Sequence, residues 1–234
     1  MPKWSPLRIA APPSPVRTRC CFDLYWRDPL PGNTDKQRFQ RAYDAGWIGM
    51  IHKLSQGATF QDPAAAYRLG QAAQVAGDHG PMLLGGYHYM TLTDRVAAQV
   101  GNFLRARAKV SAPLMLMLDF EPQVASTQAE EMGSEFVDAL RSVYGQFPLL
   151  YTGRWSVASI PIDNLPSCDL MLAEYGTNPV PPWRDDAFKL HQYSDGSLGP
   201  HHVDIPGIGL VDQSEYAGTL GECVSWWTSR LVGA

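Results

Sequence analysis

The sequence predicts an α/β protein, an irregular single-domain (β/α) barrel of eight mostly parallel strands with fewer than eight helices. Three observations carry that prediction. Strand-like and helix-like segments alternate along the chain, which is the pattern of a parallel sheet covered by helices. The strand-like segments are short apolar runs, the clearest being Leu114–Phe120 (LMLMLDF). Its first five residues are all apolar, as in a strand buried on both faces. Eight such runs are present, and eight parallel strands close into a barrel in about 200–250 residues, against 234 here. A doubly wound open sheet is the competitor, but no Gly-rich phosphate loop follows the first strand.

The elements follow in order. Cys20–Tyr25 reads as the first strand, and Thr34 with Gln37 three residues later reads as a capping box that opens a helix. Gly46–Lys53 is the second strand. Asp62-Pro63 supplies a helix N-cap and a proline at the first helical position; that helix runs to about Ala76, where Gly77 ends it. Met82–Tyr89 is the third strand, and Asp94–Ala108 is a helix with Val96, Val100, Phe103 and Leu104 on one face. After the fourth strand, Leu114–Phe120, comes a helix over Thr127–Tyr144, striped by Met132, Phe136, Val137 and Leu140. Pro148–Thr152, Asp169–Tyr175, Phe188–Tyr193 and Ile208–Asp212 complete the eight strands, with weak helical signals between them. No internal repeat is visible. Residues 1–19, with five prolines, read as a surface arm, and residues 20–234 as the barrel domain.

Composition narrows the function. Apolar residues make up 45% of the chain and charged residues 18%, enough for a large core and too little charge for disorder. The net charge of −4 offers no phosphate-binding surface, so nucleic acid is not an expected partner. No apolar run has the length of a signal peptide or a membrane span. The expectation is therefore a soluble protein, made in the cytoplasm, with no Sec signal and no membrane insertion. Cys20, Cys21, Cys168 and Cys223 fit no zinc spacing. They read as buried or surface thiols, with a bridge from Cys20 or Cys21 to Cys223 as the alternative. No HExxH-like cluster exists. His201-His202 lies in a Gly/Pro-rich loop, and Ser134 lies on a helix without a nucleophile elbow. No metal or cofactor is expected.

The chemistry concentrates at Leu118-Asp119-Phe120-Glu121-Pro122. Asp119 and Glu121 share a face at the end of a buried strand, their Cα atoms about 6.5–7 Å apart. Two carboxyl groups so placed reach roughly 5–6 Å, the separation used by retaining glycosidases. Each charge raises the pKa of the other, so that one can hold a proton near neutrality. A solvated strand end, or a calcium or salt-bridge site, is the bland alternative. Asp23 lies in the first strand and Asp212 closes the last; a closed barrel makes those strands neighbours. Tyr87, Tyr89, Tyr151, Tyr175 and Tyr193 recur at strand ends, where their rings suit stacking on sugars.

Together these segments resemble the family 25 glycoside hydrolases, the Chalaropsis-type lysozymes, from about residue 21 to 218. The resemblance rests on Phe22-Asp23-Leu24-Tyr25-Trp26, Ile51 to Gly57 followed by Asp62-Pro63, and Gly85-Gly86-Tyr87-His88-Tyr89. It continues with Leu118-Asp119-Phe120-Glu121, Pro148 to Thr152, Leu172-Ala173-Glu174-Tyr175, Gln192-Tyr193-Ser194 and Val211-Asp212. It departs from the family at Tyr25, where serine is frequent, and at His191, where tryptophan often precedes Gln-Tyr-Ser. The resemblance implies a muramidase cleaving the β-1,4 bond between N-acetylmuramic acid and N-acetylglucosamine in peptidoglycan glycan strands, with retention. It implies Glu121 and Asp119 as the catalytic centre, with Asp23 and Asp212 completing the acids and holding Glu121 protonated. Tyr87, Tyr151, Tyr175, Gln192 and Lys53 would bind substrate. The enzyme would act as a monomer on the wall after lysis or non-Sec export, as a phage endolysin or as an antibacterial effector with an immunity or inhibitor protein as partner. The alternatives are a wall-glycan-binding barrel without catalysis and a hydrolase of another amino-sugar polymer such as chitin.

Overall fold

The computed structural model describes residues 16–28, 30, 35–122, 126–157, 168–175, 188–199 and 201–233. Eight strands form the barrel wall: β1 (Thr18–Leu24), β2 (Gly49–Gln56), β3 (Leu83–Tyr89), β4 (Leu114–Asp119), β5 (Leu149–Gly153), β6 (Leu170–Ala173), β7 (Phe188–Ser194) and β8 (Asp212–Tyr216). They follow one another round the ring, and β1 closes it by pairing with both β2 and β8. Seven strands are parallel; β8 is antiparallel to both its neighbours, β1 and β7. The expected barrel is thus present.

Among the described residues, five helices have eight residues or more: α1 (Asp35–Asp44), α2 (Ala65–Ala72), α3 (Val96–Arg107), α4 (Thr127–Tyr144) and α5 (Leu220–Ser229). None is long and apolar enough to cross a membrane. The bounds of α4 are those the apolar stripe predicts. Ser126 caps it, its Oγ accepting from Ala129 N at 3.1 Å, and Gly145 ends it in the left-handed region at φ 72°. The predicted capping box at Thr34, and residues 1–15 of the proline-rich segment, lie outside the described residues.

Three elements differ from the sequence reading. The second helix is shorter, because Asp62 does not cap it at the expected place. Its Oδ1 accepts from Ala64 N and its Oδ2 from Trp26 N, both at 2.9 Å, so it ties a turn to a neighbouring loop and the helix starts at Ala65. Beyond Ala72 the chain turns into a small hairpin of Ala76–Gly77 with Gly80–Pro81. The last strand is Asp212–Tyr216, not Ile208–Asp212. The apolar residues Ile205, Ile208 and Val211 are buried, but in a loop closed by an Ile205–Gly209 bridge. The true strand, Asp-Gln-Ser-Glu-Tyr, has no apolar run to betray it. Ladder pairing on both sides and the bonds of its buried amide hold it. Gln213 exchanges hydrogen bonds with the Val203 backbone (3.1 and 2.6 Å) and accepts from the Tyr193 hydroxyl at 3.1 Å.

Helix α5 is the third difference, since no helix is read there from apolar periodicity. Its signal is local: Thr219 and Glu222 form a reciprocal capping box ahead of the apolar turn. The helix plugs the floor of the barrel. Trp227 is fully buried and donates its indole N–H to Leu84 O at 3.1 Å. The plug requires glycine at position 49, where a Cβ would lie 3.0 Å from the Trp227 ring and 2.9 Å from Cys21 Cβ. After α5, Leu231–Val232 pairs with Met115 and Leu114 at the start of β4, and Arg107 grips Val232 O and Gly233 O at 3.2 and 2.7 Å. Cys20, Cys21 and Cys223 are buried, and all four cysteines are free thiols. With the floor filled, the open end of the barrel is the rim where the parallel strands finish.

Candidate active site

Along β4 the inward positions alternate, so Met117 and Asp119 face the barrel axis and Glu121 continues the same face past the strand end. Asp119 lies level with Tyr89 of β3 and Tyr151 of β5 in the register. Backbone bonds fix the strand end: Met90 N donates to Asp119 O at 3.0 Å and Phe120 N to Tyr151 O at 2.9 Å. Phe120 points outward into the core, 1% exposed, and anchors Glu121 from behind.

A cavity of about 240 Å³ opens at this rim, lined by Asp23, Tyr25, Lys53, Tyr87, Tyr89, Met117, Asp119, Glu121, Tyr151, Gln192 and Asp212. The topology therefore brings Asp23, Asp119, Glu121 and Asp212 together with Lys53, Tyr87, Tyr151 and Gln192. Tyr175 is not in the lining; it stands half-exposed at the rim, where burial, then the charges of Asp212, Asp195 and Asp23, push its phenol above its ordinary value. Sequence reasoning passed over Met117, whose only signal is its place two residues before Asp119. His191 does not face the cavity. It is fully buried between Glu174 O (2.7 Å) and Glu215 Oε1 (3.1 Å), in a polar link that includes Arg17 at 3.0 Å from Glu215.

Asp212 reaches the cavity by a route the sequence did not show. Because β8 runs backwards, its first residue lies at the rim where the other strands end. In the antiparallel register Asp23 and Asp212 are direct partners. Gln192 bridges the site by donating to Asp23 Oδ2 at 3.1 Å and accepting from the Tyr151 hydroxyl at 2.8 Å. Tyr151 also hydrogen-bonds Glu121.

Burial dominates the electrostatics. It holds Asp23 well above the usual carboxylate range, reinforced by the charge of Asp212 and a hydrogen bond to it. Asp212 is raised less, to about 6, because its bond from Asp23 favours its ionised form against burial. Burial and the mutual repulsion of the pair thus disfavour two negative charges side by side. Asp119 is raised well above its ordinary value by burial, then by the charge of Glu121, against the pull of Lys53. Glu121 is also raised, by burial, with Tyr151 and Lys53 opposing. Lys53 lies 4.9 and 5.8 Å from the Tyr89 and Tyr87 ring centroids and donates to Gln56 Oε1 at 2.6 Å. Asp119 Oδ1 is buried without a hydrogen-bond partner among the described residues. Among the described residues, no three His, Cys, Asp or Glu side chains are grouped to hold a metal ion.

From Glu121 a second depression of about 460 Å³ leads away, lined by Tyr89, Met90, Thr91, Leu92, Thr93, Phe120, Pro122 and Ser126. Glu121 and Tyr89 belong to both, so Glu121 stands where the cavity meets the trough.

Comparison with known proteins places this architecture. A family 25 glycosyl hydrolase from Bacillus anthracis superposes with a TM-score of 0.68 over 90% of this chain and 92% of its own, at 17% identity. A muramidase from Trichobolus zukalii gives 0.65 over 92% and 99%, at 20% identity. The catalytic domain of an endolysin from bacteriophage P40 of Listeria monocytogenes gives 0.66 over 91% and 97%, at 16% identity. At these identities the likeness is one of fold. No curated relative matches the chain in sequence. The profile of glycosyl hydrolases family 25 matches residues 31–200, a span that holds Asp119, Glu121 and most of the cavity wall. The chain belongs to glycosyl hydrolases family 25.

Proposed function

We propose that this glycoside hydrolase is a muramidase that cleaves the β-1,4 bond between N-acetylmuramic acid and N-acetylglucosamine with retention of configuration. The observation that carries the reading is the buried acid pair Asp119 and Glu121, with Glu121 at the junction of cavity and trough. The names of the fold neighbours, a muramidase and a phage endolysin among them, point to the same substrate class.

Glu121 donates a proton to the leaving glycosidic oxygen. Asp119 accepts the N–H of the 2-acetamido group and turns its carbonyl oxygen toward the anomeric carbon; direct attack by Asp119 is the variant. Water then enters, activated by Glu121, and the proton returns to it. A substrate N–H bonded to Asp119 favours its ionised carboxylate, whose charge in turn favours the proton that Glu121 must give.

The Asp23–Asp212 pair bears on the alkaline limb of the rate profile. The double variant Asp23→Asn with Asp212→Asn removes its negative charge. Glu121 then loses a nearby negative charge, its pKa falls, and the alkaline limb of kcat/KM moves to lower pH. A limb that stays in place in the double variant would separate the pair from Glu121.

The enzyme is proposed to work on the wall as an endolysin or an antibacterial effector, the second requiring an immunity protein in the producing cell. Mass spectrometry of fragments released from purified peptidoglycan tests the reading. Soluble fragments ending in reducing N-acetylmuramic acid are expected, equally with and without EDTA, because the steps use carboxyl groups and a substrate amide. Fragments ending in reducing N-acetylglucosamine, release only from chitin, or wall binding without release would each replace it.

A further inference from the structure

The turn that follows β1 presents two large aromatic side chains to solvent, Tyr25 at 38% and Trp26 at 42% exposure. Three other side chains hold it rigidly. Asp28 Oδ2 accepts from Tyr25 N at 2.6 Å, and Asp62 Oδ2 accepts from Trp26 N at 2.9 Å. The guanidinium of Arg68 donates to Tyr25 O at 2.8 Å and to Asp28 O at 3.1 Å. Asp62 and Arg68 are themselves buried, 7% and 9% exposed. Burying charged groups is costly, and here it fixes a surface turn that packs nothing into the core. A further cation, Arg27, lies 4.9 Å from the Trp26 ring centroid.

Position explains the expense. Tyr25 lines the catalytic cavity, three strands round the rim from Glu121, so the turn continues the cavity outward on that side. The cavity, about 240 Å³, falls below the roughly 300–1,000 Å³ of pockets that enclose drug-sized ligands. A glycan polymer cut inside it must therefore run out over the rim. Aromatic faces held in place stack on sugar rings with little ordering cost. We propose that Tyr25 and Trp26 form a saccharide-stacking subsite, which takes a pyranose ring of the glycan strand beyond the one held among the acids. The inference rests on the muramidase reading for the identity of the polymer.

The test uses soluble peptidoglycan glycan fragments of graded length. In the active enzyme, Trp26→Ala raises KM on long fragments by about 10-fold with kcat nearly unchanged, while the shortest cleaved fragment is unaffected; Tyr25→Ala, at a residue that also lines the cavity, raises KM on long fragments at least as much. Tyr25→Phe and Trp26→Phe keep most of the affinity. Unchanged KM on long fragments, or equal weakening on long and short ones, overturns the subsite. The same series is titrated calorimetrically into the Glu121→Gln protein with and without Trp26→Ala. A gain in affinity with length that Trp26→Ala erases supports the subsite; a gain that survives, or no gain, overturns it. Failure of the muramidase reading shows separately, as wild-type protein that releases no muramic acid reducing ends.

Discussion

Glu121→Gln is expected to lower hydrolysis of peptidoglycan by about 10²–10⁴-fold while leaving glycan binding close to wild type. The amide has nearly the shape of the acid but no proton to give, and general acid catalysis is worth roughly that factor. Glu121 is suited to the part by place as well as by chemistry. It lies at the junction of cavity and trough, where the departing half of the strand must leave, and burial keeps its pKa above that of a free carboxyl. The measurement is release of reducing ends beside calorimetric binding of a glycan fragment. Retention of more than a tenth of the rate would take the proton donor's role away from Glu121.

Asp119→Asn is expected to cost orders of magnitude in kcat and, at neutral pH, to stabilise the fold. The two effects have one origin. Asp119 is buried, and burial is the main reason its pKa lies well above the ordinary value. Below about pH 4 the acid is protonated in the folded and unfolded chain alike, and it carries no penalty. As pH rises, the unfolded chain ionises first and the fold is penalised for holding the group neutral or for burying its charge. Asparagine escapes this, at the loss of the attraction between Asp119 and Lys53, which is the smaller effect. Scanning calorimetry should show a higher Tm for the variant at pH 7, by roughly 2–4 °C for each kcal/mol relieved in a domain of this size. The gap should close toward pH 4. An active variant would remove Asp119 from the mechanism, and a Tm gap independent of pH would show that the stabilisation does not come from ionisation. Strain of this kind, held at a reacting centre, is the usual exchange of stability for function. A fluorosugar that labels Asp119 in the wild-type enzyme would select direct attack over acetamido assistance.

The sequence by itself determined the central parallel strand, because a strand buried on both faces must be apolar along its length, and β4 announces itself in that way. It determined helix α4 to the residue, through an apolar stripe. It also marked Asp119 and Glu121, since two acids at the end of an apolar strand are conspicuous against their surroundings. The tertiary structure alone decided how the remaining acids join them. Asp23 and Asp212 stand 189 positions apart, and no periodicity relates them. What brings them face to face is ring closure through a strand that runs backwards, β8, whose hydrogen bonds and not its hydrophobicity make it a strand. Local pattern reports burial of apolar groups. It cannot report strand direction, and direction decided which end of β8 reaches the rim. The same limit hid the role of α5, whose cap was legible but whose docking under the barrel depends on Gly49 leaving space for Trp227. It also hid the clamp of Asp62 and Arg68 on the aromatic turn, two residues of a distant segment that only the closed fold brings to it.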